Sequence, residues 1–201
     1  RLMSVMAEGQ QRALARGRAS APTEAALAAS RDHGMPPLAA LSHARDAQWR
    51  ADLAEILAHV RAGSAARLSA TLAELGGLDA ASIEALADRV LAGTTLDQDA
   101  GFVPFVGAAL QVYFSRSAAA LSVLDLQRFD VPTVCPVCAT RPVASVLRIG
   151  GAQANLRYLV CALCATEWNM VRIKCSICEE DKGLKYLMLD AGDGRLNDTA
   201  M

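Results

Sequence analysis

The sequence predicts an α+β chain, an N-terminal all-α helical domain followed by small β modules organised by cysteine knuckles. Three observations lead there. Residues 1 to about 130 are rich in Ala and Leu, with apolar residues recurring at helical spacing. From Phe129-Asp130-Val131-Pro132-Thr133 onward the composition shifts to Val, Ile, Arg and Tyr, and that spacing stops. All six cysteines lie beyond this boundary as three C-x-x-C pairs, Cys135/Cys138, Cys161/Cys164 and Cys175/Cys178. With 201 residues, 53% apolar content and a net charge of -1, the chain is long enough for one large or two small folded domains, and its balance implies neither a strongly acidic nor a strongly basic partner.

The helical half divides at its punctuation. Leu2, Met3, Met6 and Leu14 predict a first helix, and Ser20-Ala21-Pro22-Thr23 a break with Ser20 or Thr23 capping the next helix. Gly34, Pro36 and Pro37 break the chain again. Trp49, Leu53, Ile56, Leu57 and Val60 form one apolar face and predict a helix from Ser42 or Ala44 to Arg61. After Gly63 and Ser64, Leu68, Leu72 and Leu75 predict another, stopped by Gly76-Gly77. Ile83, Leu86, Val90 and Leu91 predict the next, ending at Gly93. Pro104 suits the first turn of a long helix through Leu126, apolar on two sides and therefore expected at the centre of the bundle.

Little in this half suggests chemistry. Arg45, Asp46, Arg50, Asp52, Glu55, Arg61 and Arg67 fit solvated faces. His33, His43 and His59 read as solvated or helix-face residues rather than ligands. No Gly-rich phosphate loop, catalytic carboxylate pair or Ser-His arrangement stands out. The apolar run from Phe102 to Phe114 is shorter than the ~20 residues of a spanning helix, so no membrane insertion is expected.

The cysteines carry the functional signal. Val143 to Ile149 predicts a strand, Gly150-Gly151 a turn and Leu156 to Val160 the returning strand. Cys138 and Cys161 enclose 22 residues, a hairpin's length, so the first two knuckles are expected to meet as a cage of Cys135, Cys138, Cys161 and Cys164. Only ten residues, Ala165 to Lys174, separate Cys164 from Cys175. The strand-like Trp168 to Ile173 within them carries the chain away at ~3.3 Å per residue, so the third pair should lie apart from the first cage. Cys175 and Cys178 then open a second ribbon, with Leu184 to Leu189 as its strand and Asp190 to Gly194 as its turn, and supply half of a second site.

A secreted disulfide scaffold would scatter its cysteines, and a thiol oxidoreductase wants one C-x-x-C in a βαβ unit. Metal ligation fits better, with zinc and iron equally suited to four thiolates. Such a closed site supports structure or one-electron chemistry rather than Lewis-acid catalysis, so no enzyme is expected. A zinc-ribbon nucleic-acid binder is the rival reading. Residues 131–190 carry seven Lys or Arg against five Asp or Glu, too balanced for a phosphate-driven surface, so no nucleic acid is expected. Tyr158 and Trp168 are expected beside the knuckles and Arg157 in solvent.

In order, CPVC, PVASVLRIGG, LRYLVCALCATEW, IKCSICEED and KGLKYLMLD resemble the formate dehydrogenase accessory protein family FdhE over about residues 131 to 190. The resemblance implies a helical domain (1–130), a first rubredoxin-like four-cysteine module (131–174) and the start of a second (175–201). It implies an accessory role in the cytoplasm in the biogenesis of respiratory formate dehydrogenase, binding of its catalytic subunit, and iron as the metal. Cys135, Cys138, Cys161 and Cys164 match the first module, and Cys175 with Cys178 the first half of the second. That family carries four C-x-x-C pairs and this chain three, and it begins at Arg1 rather than Met, so the sequence is expected to be a fragment.

Overall fold

The computed structural model describes residues 2–18, 21–63, 66–123, 126, 131–148, 154–183, 187–189 and 196–198. Six α-helices among these are α1 (Leu2–Arg16), α2 (Glu24–His33), α3 (Gln48–Gly63), α4 (Ser69–Gly76), α5 (Ala80–Ala92) and α6 (Val103–Ala119). Three strands come next, β1 (Pro142–Leu147), β2 (Arg157–Cys161) and β3 (Glu167–Met170), in an antiparallel sheet of order β1-β2-β3. The short β4 (Leu187–Leu189) and β5 (Leu196–Asp198) pair antiparallel in a second sheet. The expected turns at Gly150-Gly151 and Asp190 to Gly194, and the start of the strand expected from Leu184, lie outside the described residues.

Local signals set most helix ends. Thr23 caps α2 by accepting from the Ala26 N–H, and Gly34 closes the helix in the left-handed conformation that glycine adopts without a Cβ penalty. Asp79 and Gly93 do the same for α5. Pro104 sits in the first turn of α6, which packs against α1, α3 and α5 and buries Phe105, Val106, Leu110, Val112, Tyr113 and Phe114. The predicted central helix is therefore present, but it ends at Ala119 rather than Leu126. Tight turns from Ala120 to the Ser117 carbonyl and from Leu121 to the Ala118 carbonyl finish it. Leu121 and Leu126 still pack on the core, so the apolar pattern there belongs to a packed turn.

The start of α3 also differs. Residues 38–46 stay irregular, and the Asp46 carboxylate accepts from the Gln48 N–H, starting the helix at Gln48. The freed segment has a separate task. The Leu38 N–H donates to the Val137 carbonyl and the Ala40 N–H to the Cys138 carbonyl, each at 2.9 Å, fastening the helices to the first knuckle. Helices and the first four cysteines consequently share one apolar core.

Two expectations about charge are corrected. Asp52 is buried and forms a two-pronged ion pair with Arg116 at 2.9 and 3.0 Å. The same guanidinium donates to the Ala13 carbonyl, tying the end of α1 to α3 and α6. A Cβ on Gly17 would stand 2.3 Å from this guanidinium, which is why glycine occupies that position. Arg45 is likewise withdrawn from solvent, paired with Glu84 and Asp88 of α5. The helical pattern placed these residues at the edge of the apolar face, where charges are buried only when a partner on another helix meets them.

Candidate metal centre

Each knuckle begins with a cysteine whose N–H is bonded to the carbonyl five residues on. The pairs are Cys135 to Thr140 at 2.9 Å, Cys161 to Thr166 at 3.0 Å and Cys175 to Glu180 at 2.8 Å. The residue after each second cysteine, Ala139, Ala165 or Glu179, has a φ of 63°, 57° or 60°. This left-handed position normally favours glycine, so the sequence carries no glycine signal for it and each turn stores strain of about 1 kcal/mol. The geometry turns both sulfurs of a pair to one side while N–H groups point at the first sulfur. Val137 N–H lies 3.4 Å from Cys135 Sγ, and Leu163 and Cys164 N–H lie 3.3 and 3.4 Å from Cys161 Sγ.

The β1-β2 hairpin brings the first two knuckles together. The sulfurs of Cys135, Cys138, Cys161 and Cys164 all lie within 4.8 Å of one another and are buried. Cys135 Sγ stands 3.5 Å from Cys164 Sγ, and Cys138 Sγ 3.4 Å from Cys161 Sγ. A disulfide requires about 2.05 Å, whereas tetrahedral ligands at ~2.3 Å from a shared metal stand ~3.8 Å apart. The sulfur spacing thus fits a metal cage and not a pair of disulfides.

Electrostatics point the same way. Hydrogen bonding with Cys138, then Cys161 and Cys164, pushes the Cys135 thiol far up. Cys138 is also raised, where the bond with Cys135 is outweighed by those with Cys161 and Cys164. Cys161 is drawn down by Cys135, Cys138 and Cys164, and Cys164 by Cys135 and Cys138. Without a cation the cluster keeps some protons to limit repulsion between buried thiolates; a divalent ion at its centre would displace them.

The third knuckle repeats the turn in another setting. Cys175 is partly exposed and Cys178 exposed, and among the described residues the cluster of potential metal ligands contains neither. This separation from the first cage matches the reading of the short Ala165 to Lys174 connection. The Cys175 thiol is lowered by the backbone N–H groups of Cys178 and Ile177, then by the Cys178 side chain. Arg157, expected in solvent, is buried instead. Its guanidinium donates to Ser145 Oγ at 2.7 Å and to the carbonyls of Val171, Arg172 and Lys174, fixing the turn that leads to Cys175. Trp168 packs on the core as expected, and its Nε1–H donates to the Pro132 carbonyl at 2.8 Å.

Residues that the sequence did not flag complete the site. Leu38 and Ala40 act through backbone alone and leave no side-chain signal. Gln111, the one amide in the apolar stretch Val106 to Phe114, donates from Nε2 to the Ala162 carbonyl of the second knuckle at 2.9 Å. A groove of about 540 Å³ lies elsewhere, between α2 and the 35–46 segment, where the Tyr113 hydroxyl accepts from the Asp46 N–H and bonds His43 Nε2. Of the described helices, none is long and apolar enough to cross a membrane.

Comparison with known proteins gives concordant matches. Family models described as "FdhE, N-terminal" and "FdhE, central domain" match residues 1–129 and 134–172. A "Protein FdhE homolog" from Pseudomonas aeruginosa is 40% identical over 94% of this chain and 62% of its own length. Homologs of the same description from Pseudomonas putida and Edwardsiella ictaluri are 38% and 36% identical. The crystal structure of the FdhE protein from Pseudomonas aeruginosa superposes with a TM-score of 0.78 at 36% identity, covering 97% of this chain and 69% of that one. The chain therefore spans about half to three fifths of the length of these curated relatives.

Proposed function

The chain belongs to the FdhE family, and from that premise we propose that it is a non-catalytic accessory protein in the biogenesis of respiratory formate dehydrogenase. It acts in the cytoplasm, a reducing compartment suited to six cysteines that form no disulfide. The observation that carries this reading is the buried four-sulfur cluster of Cys135, Cys138, Cys161 and Cys164. These four hold one metal ion, iron by the family resemblance, with zinc able to take the same positions. Bound by four thiolates, iron would supply a cross-link for the small sheet and a one-electron couple.

The protein's own groups prepare that site. The Leu38 and Ala40 N–H groups hold the first knuckle, Gln111 holds the second, and N–H groups of the turns face Cys135 and Cys161. Val137 and Leu163 are buried and pack the cage against the helices. Cys175 and Cys178 are half of a second site, so a metal there is weakly held, completed by groups outside residues 1–201, or absent. This divides the chain into a helical domain (1–130), a first module (131–174) and the opening of a second (175–201).

The catalytic subunit of formate dehydrogenase docks on the exposed β1 edge and the third knuckle tip, where Val143, Val171, Ile173 and Ile177 are exposed. The test is purification without oxygen from cells producing that enzyme, with metal analysis, an absorption spectrum and identification of co-purifying chains. Iron-thiolate absorption and recovery of the catalytic subunit are expected. Intact, metal-loaded protein that never recovers the subunit would overturn the accessory role.

A further inference from the structure

We propose that Gln111 is a positioning residue for the Cys161 sulfur, acting through a single peptide group of the second knuckle. The proposal rests on the reading of Cys161 as a metal ligand. Gln111 Nε2 donates to the Ala162 carbonyl at 2.9 Å. The N–H of that same peptide group belongs to Leu163 and donates to Cys161 Sγ at 3.3 Å. A hydrogen bond at a peptide oxygen draws charge toward it, leaves the N–H more positive and strengthens the bond that the N–H makes. The side chain of α6 therefore reaches the sulfur through one resonant group.

Gln111 is itself oriented. Its Oε1 accepts from Gln10 Nε2 at 2.9 Å, and Gln10 Nε2 also donates to the Ala108 carbonyl at 3.1 Å. With Oε1 committed to Gln10, the Gln111 amide turns its N–H toward the knuckle. The line of hydrogen bonds thus runs from α1 through α6 and the Ala162-Leu163 peptide to Cys161. The first knuckle differs. There Val137 N–H faces Cys135 Sγ at 3.4 Å, but its peptide carbonyl, that of Pro136, receives no hydrogen bond among the described residues. The cage is held asymmetrically, with Cys161 the sulfur under side-chain control.

N–H bonds to a thiolate withdraw electron density from the metal-sulfur bond, and in iron-thiolate sites they raise the reduction potential. Gln111 is exposed and lines a groove of about 360 Å³ beside Cys161, so it can be replaced without opening the core. The decisive variants are Gln111→Glu, equal in shape but without the donor, and Gln111→Leu. Each is prepared in the full chain, reconstituted with iron without oxygen and checked for wild-type helical content and thermal midpoint. The reduction potential is then measured by spectroelectrochemical titration and metal release by transfer to a chelator.

Both variants are expected to have a more negative potential than wild type, Glu more than Leu because its carboxylate faces the Ala162 carbonyl. Both should release metal about three- to tenfold faster, below or at the low end of the loss seen when ligand-supporting groups are removed. Gln10→Ala should shift both readings in the same direction and less, and Ser115→Ala in the same groove should shift neither. Folded Gln111 variants with wild-type potential and release rate would overturn the proposal while leaving the cage intact. A wild-type chain that takes up neither iron nor zinc would overturn the ligand reading as well.

Discussion

The first and third knuckles have the same backbone and opposite surroundings. Val131 to Thr140 and Val171 to Glu180 repeat hydrogen bond for hydrogen bond, from the 3.4 Å turn before the first cysteine to the N–H of Ala139 or Glu179 returning to that cysteine's carbonyl. Yet Val137, between the first pair, is 2% exposed beneath the helices, whereas Ile177 in the same place is 68% exposed. The turn is a local property of a short C-x-x-C segment. Its protection and its partner sulfurs are tertiary properties, supplied by the 38–40 segment and the β1-β2 hairpin.

The largest difference between the two should appear on deleting a sulfur. Cys161→Ser is expected to abolish tight metal binding and disorder the β1-β2-β3 sheet, because so small a sheet depends on the cross-link, while Cys178→Ser should leave the first metal in place. Elemental analysis and circular dichroism of the two variants check this. Next in size is a charge at the middle of each knuckle. Val137→Asp should cost about 4 kcal/mol or more by burying an unpaired carboxylate, and Ile177→Asp should stay within about 0.5 kcal/mol, both read from urea unfolding of the metal-loaded chain.

The scaffold beneath the first knuckle can be weakened from a distance. Arg116→Ala leaves Asp52 buried and unpaired and should cost about 3–5 kcal/mol in the same unfolding experiment. The smallest effect concerns pH. Burial, and then the neighbouring Arg45 charge, hold His43 below its ordinary 6.5 against the opposing pull of Asp46, and its ring lies against Tyr113 and Phe114. The unfolded chain thus binds this proton more strongly than the folded one. Stability should be full above about 6.5 and fall as pH drops from there toward the folded-state value. His43→Gln should flatten that part of a stability–pH profile, while leaving the acid release of metal from the thiolates unchanged.

The sequence made the fold class and the cage legible because both rest on spacing. Apolar residues at helical intervals located five of the six described helices, capping and breaking residues marked α2, and two C-x-x-C pairs at hairpin distance located the four sulfurs. What escaped it had no periodic signal. Leu38 and Ala40 contribute backbone N–H groups, Asp52 and Arg116 find each other across 64 positions, and Arg157 is buried because three carbonyls of a later turn converge on it. The ends of α3 and α6 were misplaced for a related reason. Apolar residues that pack from irregular chain continue a helical pattern as well as residues within a helix do.

The contrast between the knuckles is tested most directly by labelling the six thiols of anaerobically purified, metal-loaded chain with an alkylating agent and reading each cysteine by mass spectrometry beside the metal count. About one metal per chain, rapid labelling of Cys175 and Cys178, and labelling of Cys135, Cys138, Cys161 and Cys164 only after the metal is chelated are the expected results. Equal labelling of all six while the metal remains bound, or protection of Cys175 and Cys178 together with two tightly held metals, would contradict that contrast.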